Sequence, residues 1–363
     1  MEIKKYEYID SLRGIAILLV ILVHVSFIDG IGPAMSYFHE KVELFIKNGH
    51  LGVNLFFVVS AFTLMLSHQK RQYEDHANRN FFIRRFFRIA PMYYLAIIYF
   101  TFAYYTGLDF SDLDWGNIPK KELFTNILFI NGFFPEYIHR YVPGGWSITV
   151  EFMFYAMFPF LFPRMKDINI IFVFTLITLL ISTVVNLFLT GTYADHNDFL
   201  SLYIIAQLPV FSLGMLAFFI VTNKDKLAEV KLSSLCYLTV TILIYCYVAI
   251  NYDFLYSIVF FLLLVMLAQK NYRLFSNKIL AKIGKVSFSL YLMHFVMMTF
   301  FNRYGWMAWV NIDSTLSAAC YFVLAYLSLF ALSYVCSVFT HKFIEVPGQN
   351  LGKKLIQKLN QQK

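Results

Sequence analysis

Apolar positions in this chain run on in blocks of about twenty residues, broken by short polar connections, instead of alternating or keeping to one helical stripe. Blocks of that length can cross a hydrocarbon core of about 30 Å as helices. They fall at 8–28, 50–67, 88–106, 146–163, 169–189, 199–221, 232–250, 253–268, 282–301 and 315–339. The pattern predicts an all-α integral membrane protein, a bundle of about ten transmembrane helices. A shorter and more polar run at 122–134, ELFTNILFINGFF, is expected to be a re-entrant or interfacial segment. Residues 1–345 would form one membrane domain and 346–363 a basic cytoplasmic tail.

The loop charges fix the expected orientation. Lys4 and Lys5 precede the first span, and Lys70, Arg71, Arg79, Arg84, Arg85 and Arg88 surround the start of the third. Cytoplasmic loops carry the excess of Lys and Arg, so both places should be cytoplasmic. If 122–134 does not cross, Arg164 and Lys166, then Lys224, Lys226 and Lys231, then Lys270, Arg273, Lys278 and Lys282, then the C-terminal lysines all fall on that same side. Both termini are therefore expected in the cytoplasm. The first run is full length and lacks a small-residue cleavage site, so it is expected to remain as the first span.

Composition agrees. The chain is 59% hydrophobic and only 14% charged, against about 25% charged in an average soluble domain. The net charge of +8 is accounted for by the loops, so nucleic acid is not an expected partner; membrane lipids are. The 41 Phe and 25 Tyr are read as packing and lipid-facing residues. Cys236, Cys246, Cys320 and Cys336 all lie inside apolar runs without C-x-x-C spacing, so no metal site is expected. The sequence does not speak to oligomeric state.

Ionisable residues inside spans are costly and commonly functional. In YIDSLRGIAILLVILVHVSFI, Arg13 and His24 are eleven residues apart, which stacks them on one helix face about 16 Å apart. With the expected orientation, His24, Asn54, Glu151 and His294, from four spans, share the middle or outer half of the membrane. Arg13 lies at the inner level with Arg84, Arg85 and Arg88, and Arg85 and Arg88 at i, i+3 face the same way. Guanidinium forks suit a polyanionic, phosphate-bearing ligand. A histidine with a carboxylate nearby can act as general base on a hydroxyl. Plainer readings exist for each: arginines as topology anchors, histidines as helix-packing hydrogen bonds. The two tiers fit group transfer from a cytoplasmic donor, and less tightly a transporter or flippase with a proton relay.

Six segments then carry a resemblance. IDSLRGIAILLVILVH, GVNLFFVVSAF at 52–62, RRFFRIAP at 84–91, WSITVEFMFY at 146–155, SFSLYLMH at 287–294 and FIEVP at 343–347 resemble, in order, motifs of the membrane-bound acyltransferase-3 family. The resemblance implies acetyl-CoA or another acyl-CoA as donor substrate, no permanently bound cofactor, and a glycan or lipid-linked glycan hydroxyl as acceptor. It implies His24, Glu151 and Arg13 as catalytic residues and Arg85 and Arg88 as the donor-binding pair, to which the basic cluster at the start of the third span adds Arg84 as an expectation. Asn54, Trp146, Tyr155, His294 and Ser287 are expected along the substrate pathway. Asn54 stands where many members carry Asp, Ala61 replaces a usual Gly, and Phe152 takes the place of a second glutamate. No appended extracytoplasmic hydrolase-like domain is expected.

Overall fold

A computed structural model describes residues 7–106, 120–138, 141–192, 197–223, 253–270, 272–306 and 312–361. The predicted span at 232–250, with Cys236 and Cys246, and the acidic connection at 107–114 lie outside those residues. Every regular element among the described residues is helical. In chain order they are α1 (Glu7–His24), α2 (Gly32–Met35), α3 (Glu40–Lys47), α4 (Gly52–Gln69), α5 (Ala77–Thr106), α6 (Lys120–Ile127), α7 (Gly145–Leu161) and α8 (Ile168–Thr190). There follow α9 (Asn197–Leu202), α10 (Ile204–Thr222), α11 (Asp253–Gln269), α12 (Lys278–Lys285), α13 (Ser287–Tyr304), α14 (Thr315–Thr340) and α15 (Val346–Gln361).

Seven helical stretches among the described residues are long and apolar enough to cross a membrane singly, and the bent pair α12–α13 makes an eighth. The 17-residue α11 is apolar but shorter. This is a multi-pass membrane protein. The run at 122–134 does not form a span: α6 has eight residues, about 12 Å of helix, and is followed by a single 3-10 turn at Asn131–Phe133.

The predicted ninth span at 282–301 is broken, and the break is a correction to the sequence reading. The chain turns by 72° between α12 and α13. Beside the bend, α12 makes a backbone-to-backbone contact with α1. A Cβ on Gly284 would lie 1.7 Å from the Asp10 carbonyl oxygen, and one on Gly14 would lie 2.3 Å from the Leu280 carbonyl oxygen. Two facing glycines thus let the helices touch at a distance no larger residue permits. Asn277 starts α12 by accepting from the Ile279 and Leu280 amides, and Ser11 of α1 donates to the Asn277 carbonyl at 3.2 Å.

The core joins α4, α7 and α10 through stacked rings, Phe57 on Phe211 at 4.6 Å and Phe154 on Phe211 at 4.1 Å. On the outer helices, Val173, Ile177, Val184 and Phe188 of α8 and Leu324, Leu327, Val335 and Phe339 of α14 are exposed, a face suited to lipid and not to water. The basic connections gather at one end. His68, in the last turn of α4, packs against Phe81 of α5 and against Phe158 and Phe162 at the end of α7. The same end therefore holds Lys70, Arg71, Arg79, Arg84 and Arg164. α15 closes onto it: Gly348 and Gly352 lie against Pro91 and Phe87 of α5, and Arg79 donates to Asn360.

Candidate active site

Arginines from two helices converge near the basic end. Arg13 of α1 donates from Nη2 to Thr63 Oγ1 of α4 at 3.2 Å and lies 3.6 Å from Asp10. Arg85 of α5 holds its guanidinium over the rings of Phe81 and Tyr155, 5.5 and 5.4 Å from their centroids, and its buried Nε has no partner. Arg88, one turn on, lines the same space. Arg84 is rotated about 100° from Arg85 by the helix geometry and pairs instead with Glu74 at 2.9 Å. The structure separates Arg84 from the other three.

Glu151 of α7 enters this group from the opposite wall. Its Oε1 accepts from Ser60 Oγ of α4 and from Tyr155 OH one turn away, both at 2.5 Å. The short 120–134 segment bridges α7 and α5: Asn131 accepts from Thr149 of α7, and Asn126 accepts from Tyr93 OH of α5 at 2.8 Å. Gly144 precedes α7 with φ of 71°, and a Cβ there would lie 2.6 Å from both Phe295 and the Tyr291 hydroxyl oxygen. Only glycine meets both demands.

Two cavities meet at the arginines. One is lined by Arg13, Arg85, Arg88, Glu151, Tyr155, Ser60, Ser147, Ser287 and Tyr291 among others. The second, more open, shares Arg13, Thr63, Arg85 and Arg88 and adds Asp10, Ser67, Lys70 and Arg71. The three guanidiniums form the waist between an outer basic vestibule and an inner chamber that ends in hydroxyls and a carboxylate.

His24 lies beyond the wall of that chamber. Its ring is 5.0 Å from that of His294 and 4.7 Å from that of Phe295. His24 Nδ1 is 2.7 Å from the Val20 carbonyl oxygen. A carbonyl only accepts, so the neutral ring carries its proton on Nδ1 and a lone pair on Nε2. His294, wholly buried, repeats the arrangement with the Leu290 carbonyl at 3.2 Å, and its Nε2 has no partner. Tyr291, one turn before His294, belongs to both regions. It lines the chamber, its hydroxyl donates to the Gly144 carbonyl at 3.0 Å and accepts from Ser147 at 2.8 Å, and its ring is 5.7 Å from that of His294.

The four polar residues expected at one depth divide three ways. His24 and His294 are neighbours. Glu151 is bonded to Ser60 and Tyr155, and the group that orients the His24 ring is the backbone carbonyl of Val20 where the sequence suggested a carboxylate. Asn54 donates to Ser257 at 3.0 Å and to the Asp253 carbonyl at 3.4 Å, tying α4 to α11. Trp146 packs edge-on against Phe57 at 6.2 Å.

Comparison with known proteins decides the family. A family model described as an acyltransferase domain, that of acyltransferase-3, matches residues 6–338. The chain belongs to the acyltransferase-3 family. A "Putative O-acetyltransferase" of Staphylococcus aureus strain COL is 24% identical over 393 residues, covering 97% of this chain and 59% of that protein. The protein of the same description in strain MSSA476 aligns equally well. A "Putative acetyltransferase" of Acidianus two-tailed virus is 26% identical over 307 residues, covering 81% of this chain and 84% of the relative. The chain spans about three fifths of the length of its staphylococcal relatives. No solved structure matches it.

In this acyltransferase-3 chain, Ser60, Thr63, Ser147 and Tyr291 join the site without having been singled out from sequence. Three of them sit inside the motif segments, Ser60 in GVNLFFVVSAF, Ser147 in WSITVEFMFY and Tyr291 in SFSLYLMH. A small hydroxyl or a Tyr within an apolar helix is too common a packing residue to stand out alone.

Proposed function

We propose that this acyltransferase-3 chain transfers an acyl group, acetyl in the first instance, from acyl-CoA to a hydroxyl of a surface-polysaccharide sugar or its lipid-linked repeat unit, in a bacterial cytoplasmic membrane. One observation carries the reading: Arg13, Arg85 and Arg88 converge on the waist between two cavities, and Arg85 keeps a buried donor unused by the protein. An unmade bond at a buried polar atom is costly, and the phosphates of CoA would complete it with charge-assisted hydrogen bonds. The basic vestibule, with Lys70 and Arg71, lies at the end where basic loops gather, the end that the positive-inside rule assigns to the cytoplasm.

From there the pantetheine arm would extend into the inner chamber, past Glu151, toward Tyr291. His24, with its Nε2 lone pair free, would take the proton of the attacking hydroxyl and return it to the leaving thiolate. The family and the descriptions of its relatives support acyl transfer over transport. Titration of the purified full chain with CoA and with dephospho-CoA tests the donor assignment by calorimetry. Micromolar binding of CoA, weakened at least tenfold by Arg88→Ala, is the expected result; no detectable binding of either compound would remove the donor. Mass spectrometry of cell-envelope glycans with and without the gene tests the acceptor, which loses acetyl groups on deletion.

A further inference from the structure

Two facts about the histidines belong together. Each Nδ1 faces the carbonyl four residues earlier, Val20 for His24 and Leu290 for His294, so each neutral ring presents only a lone pair at Nε2. Two lone pairs cannot bond to one another; the ring centroids lie 5.0 Å apart, and the His294 Nε2 is buried and unpartnered. A single added proton changes this. Once Nε2 of either ring is protonated it becomes a donor, and the Nε2 lone pair of the neighbouring ring is an acceptor for it.

We propose that His24 and His294 form a dyad that shares the one proton released during transfer, with His294 acting as the positioning residue that holds His24 as an imidazolium. This rests on the acyl-transfer reading given above. In the step concerned, the acceptor O–H bond breaks and its proton moves to His24 Nε2, while the oxygen forms a bond to the thioester carbon. The His24 Nε2–H then donates to His294 Nε2. Collapse of the tetrahedral adduct breaks the C–S bond, and the thiolate regains the proton from the pair as free thiol. The other titratable groups packed against the dyad are engaged elsewhere. The Tyr291 hydroxyl is bonded to Gly144 and Ser147, and His50, beside α1, has its Nε2 3.5 Å from Asp253. Glu151, which would ordinarily be sought for this role, is committed to Ser60 and Tyr155. A buried neutral imidazole therefore fills the place a carboxylate takes in a charge-stabilised base.

The test is thiol release from acetyl-CoA by the full chain in liposomes, with water as the acceptor, so that no sugar need be assumed. His294→Leu is expected to lower kcat by about 100-fold with KM within twofold, and His294→Gln, whose amide oxygen still accepts, to recover at least tenfold of that loss. His294→Asn, one methylene shorter, should recover none, and serves as the comparison for His294→Gln if the Leu variant fails to reach the membrane. A folded Leu variant within threefold of the parent kcat overturns the dyad, as does equal loss in the Gln and Asn variants. Full activity in His24→Ala, or no thiol release by the parent chain, counts against the acyl-transfer reading itself and takes the dyad with it.

Discussion

One helix supplies both ends of the site, and the two ends are built on opposite principles. Around Arg13 the walls are charged and open: three guanidiniums, a carboxylate already bonded twice, and a basic vestibule leading outward. Around His24, about 16 Å along the same face, the surroundings are Phe27, Phe295 and His294. The first region favours a ligand that brings several negative charges. The second offers lone pairs and little else, which suits a single proton. Between them stands Tyr291, which lines the chamber and also packs against His294. The guanidiniums and the imidazole lone pairs are thereby kept apart, and a low-dielectric region strengthens whatever electrostatic interaction is left inside it.

The division between the two ends bears most heavily on His24. Replacing it with Ala should lower acyl transfer by about 10²- to 10⁴-fold, the range typical of a general base, while CoA affinity measured by calorimetry stays within twofold. A parallel loss of binding would mean that the two regions are one.

Next in size is the other end. Arg85→Ala should weaken CoA binding about 10- to 100-fold, corresponding to the loss of charge-assisted hydrogen bonds of about 1.5–3 kcal/mol. At saturating donor the turnover should change far less than the affinity. A fall confined to turnover would move Arg85 from the binding end to the chemical one.

Gly284→Ala acts on α1, the element that both regions share. Its Cβ would be forced into the Asp10 carbonyl, and overpacking of this kind costs about 1–3 kcal/mol. Thermal unfolding in detergent should show the loss. Gly32→Ala, with nothing within 4 Å of the new methyl, is the matched control and should stay within about 0.5 kcal/mol of the parent. Equal behaviour of the two variants would show that the α1–α12 contact is not close in the folded protein.

The smallest effect sharpens the boundary of the arginine cluster. Arg84 is engaged with Glu74 at the surface, an arrangement worth about 0–1 kcal/mol. Arg84→Ala should leave CoA affinity within twofold of the parent, in contrast with Arg85→Ala next to it. A tenfold loss in calorimetry would place Arg84 back among the ligand's partners.

Much of this protein was legible in one dimension because the bilayer simplifies the problem. Unbroken apolar blocks report helices directly, since a backbone in lipid must satisfy its own hydrogen bonds. The six motif segments named the family, and the family model bears that out. The i, i+3 spacing put Arg85 and Arg88 on one face, and both line the same cavity. Helix geometry alone also stacked Arg13 and His24, because both belong to one rigid element.

What the sequence did not contain was the meeting of faces from different helices. Whether Glu151 approaches His24 or Arg85 depends on the rotation of α7, which is set by Asn131, Gly144 and the packing of Phe154, not by any spacing along the chain. Beside the break between α12 and α13, Gly284 meets the backbone of α1, some 270 residues away in sequence. Arg84 and Arg85 are identical in type and adjacent, and only the packed bundle sends one to Glu74 and the other to the chamber. Sequence determined which residues were available and which side of their own helix they occupied. Tertiary packing decided which of those sides face each other, because that choice rests on close contacts between backbones whose partners lie far apart in the chain.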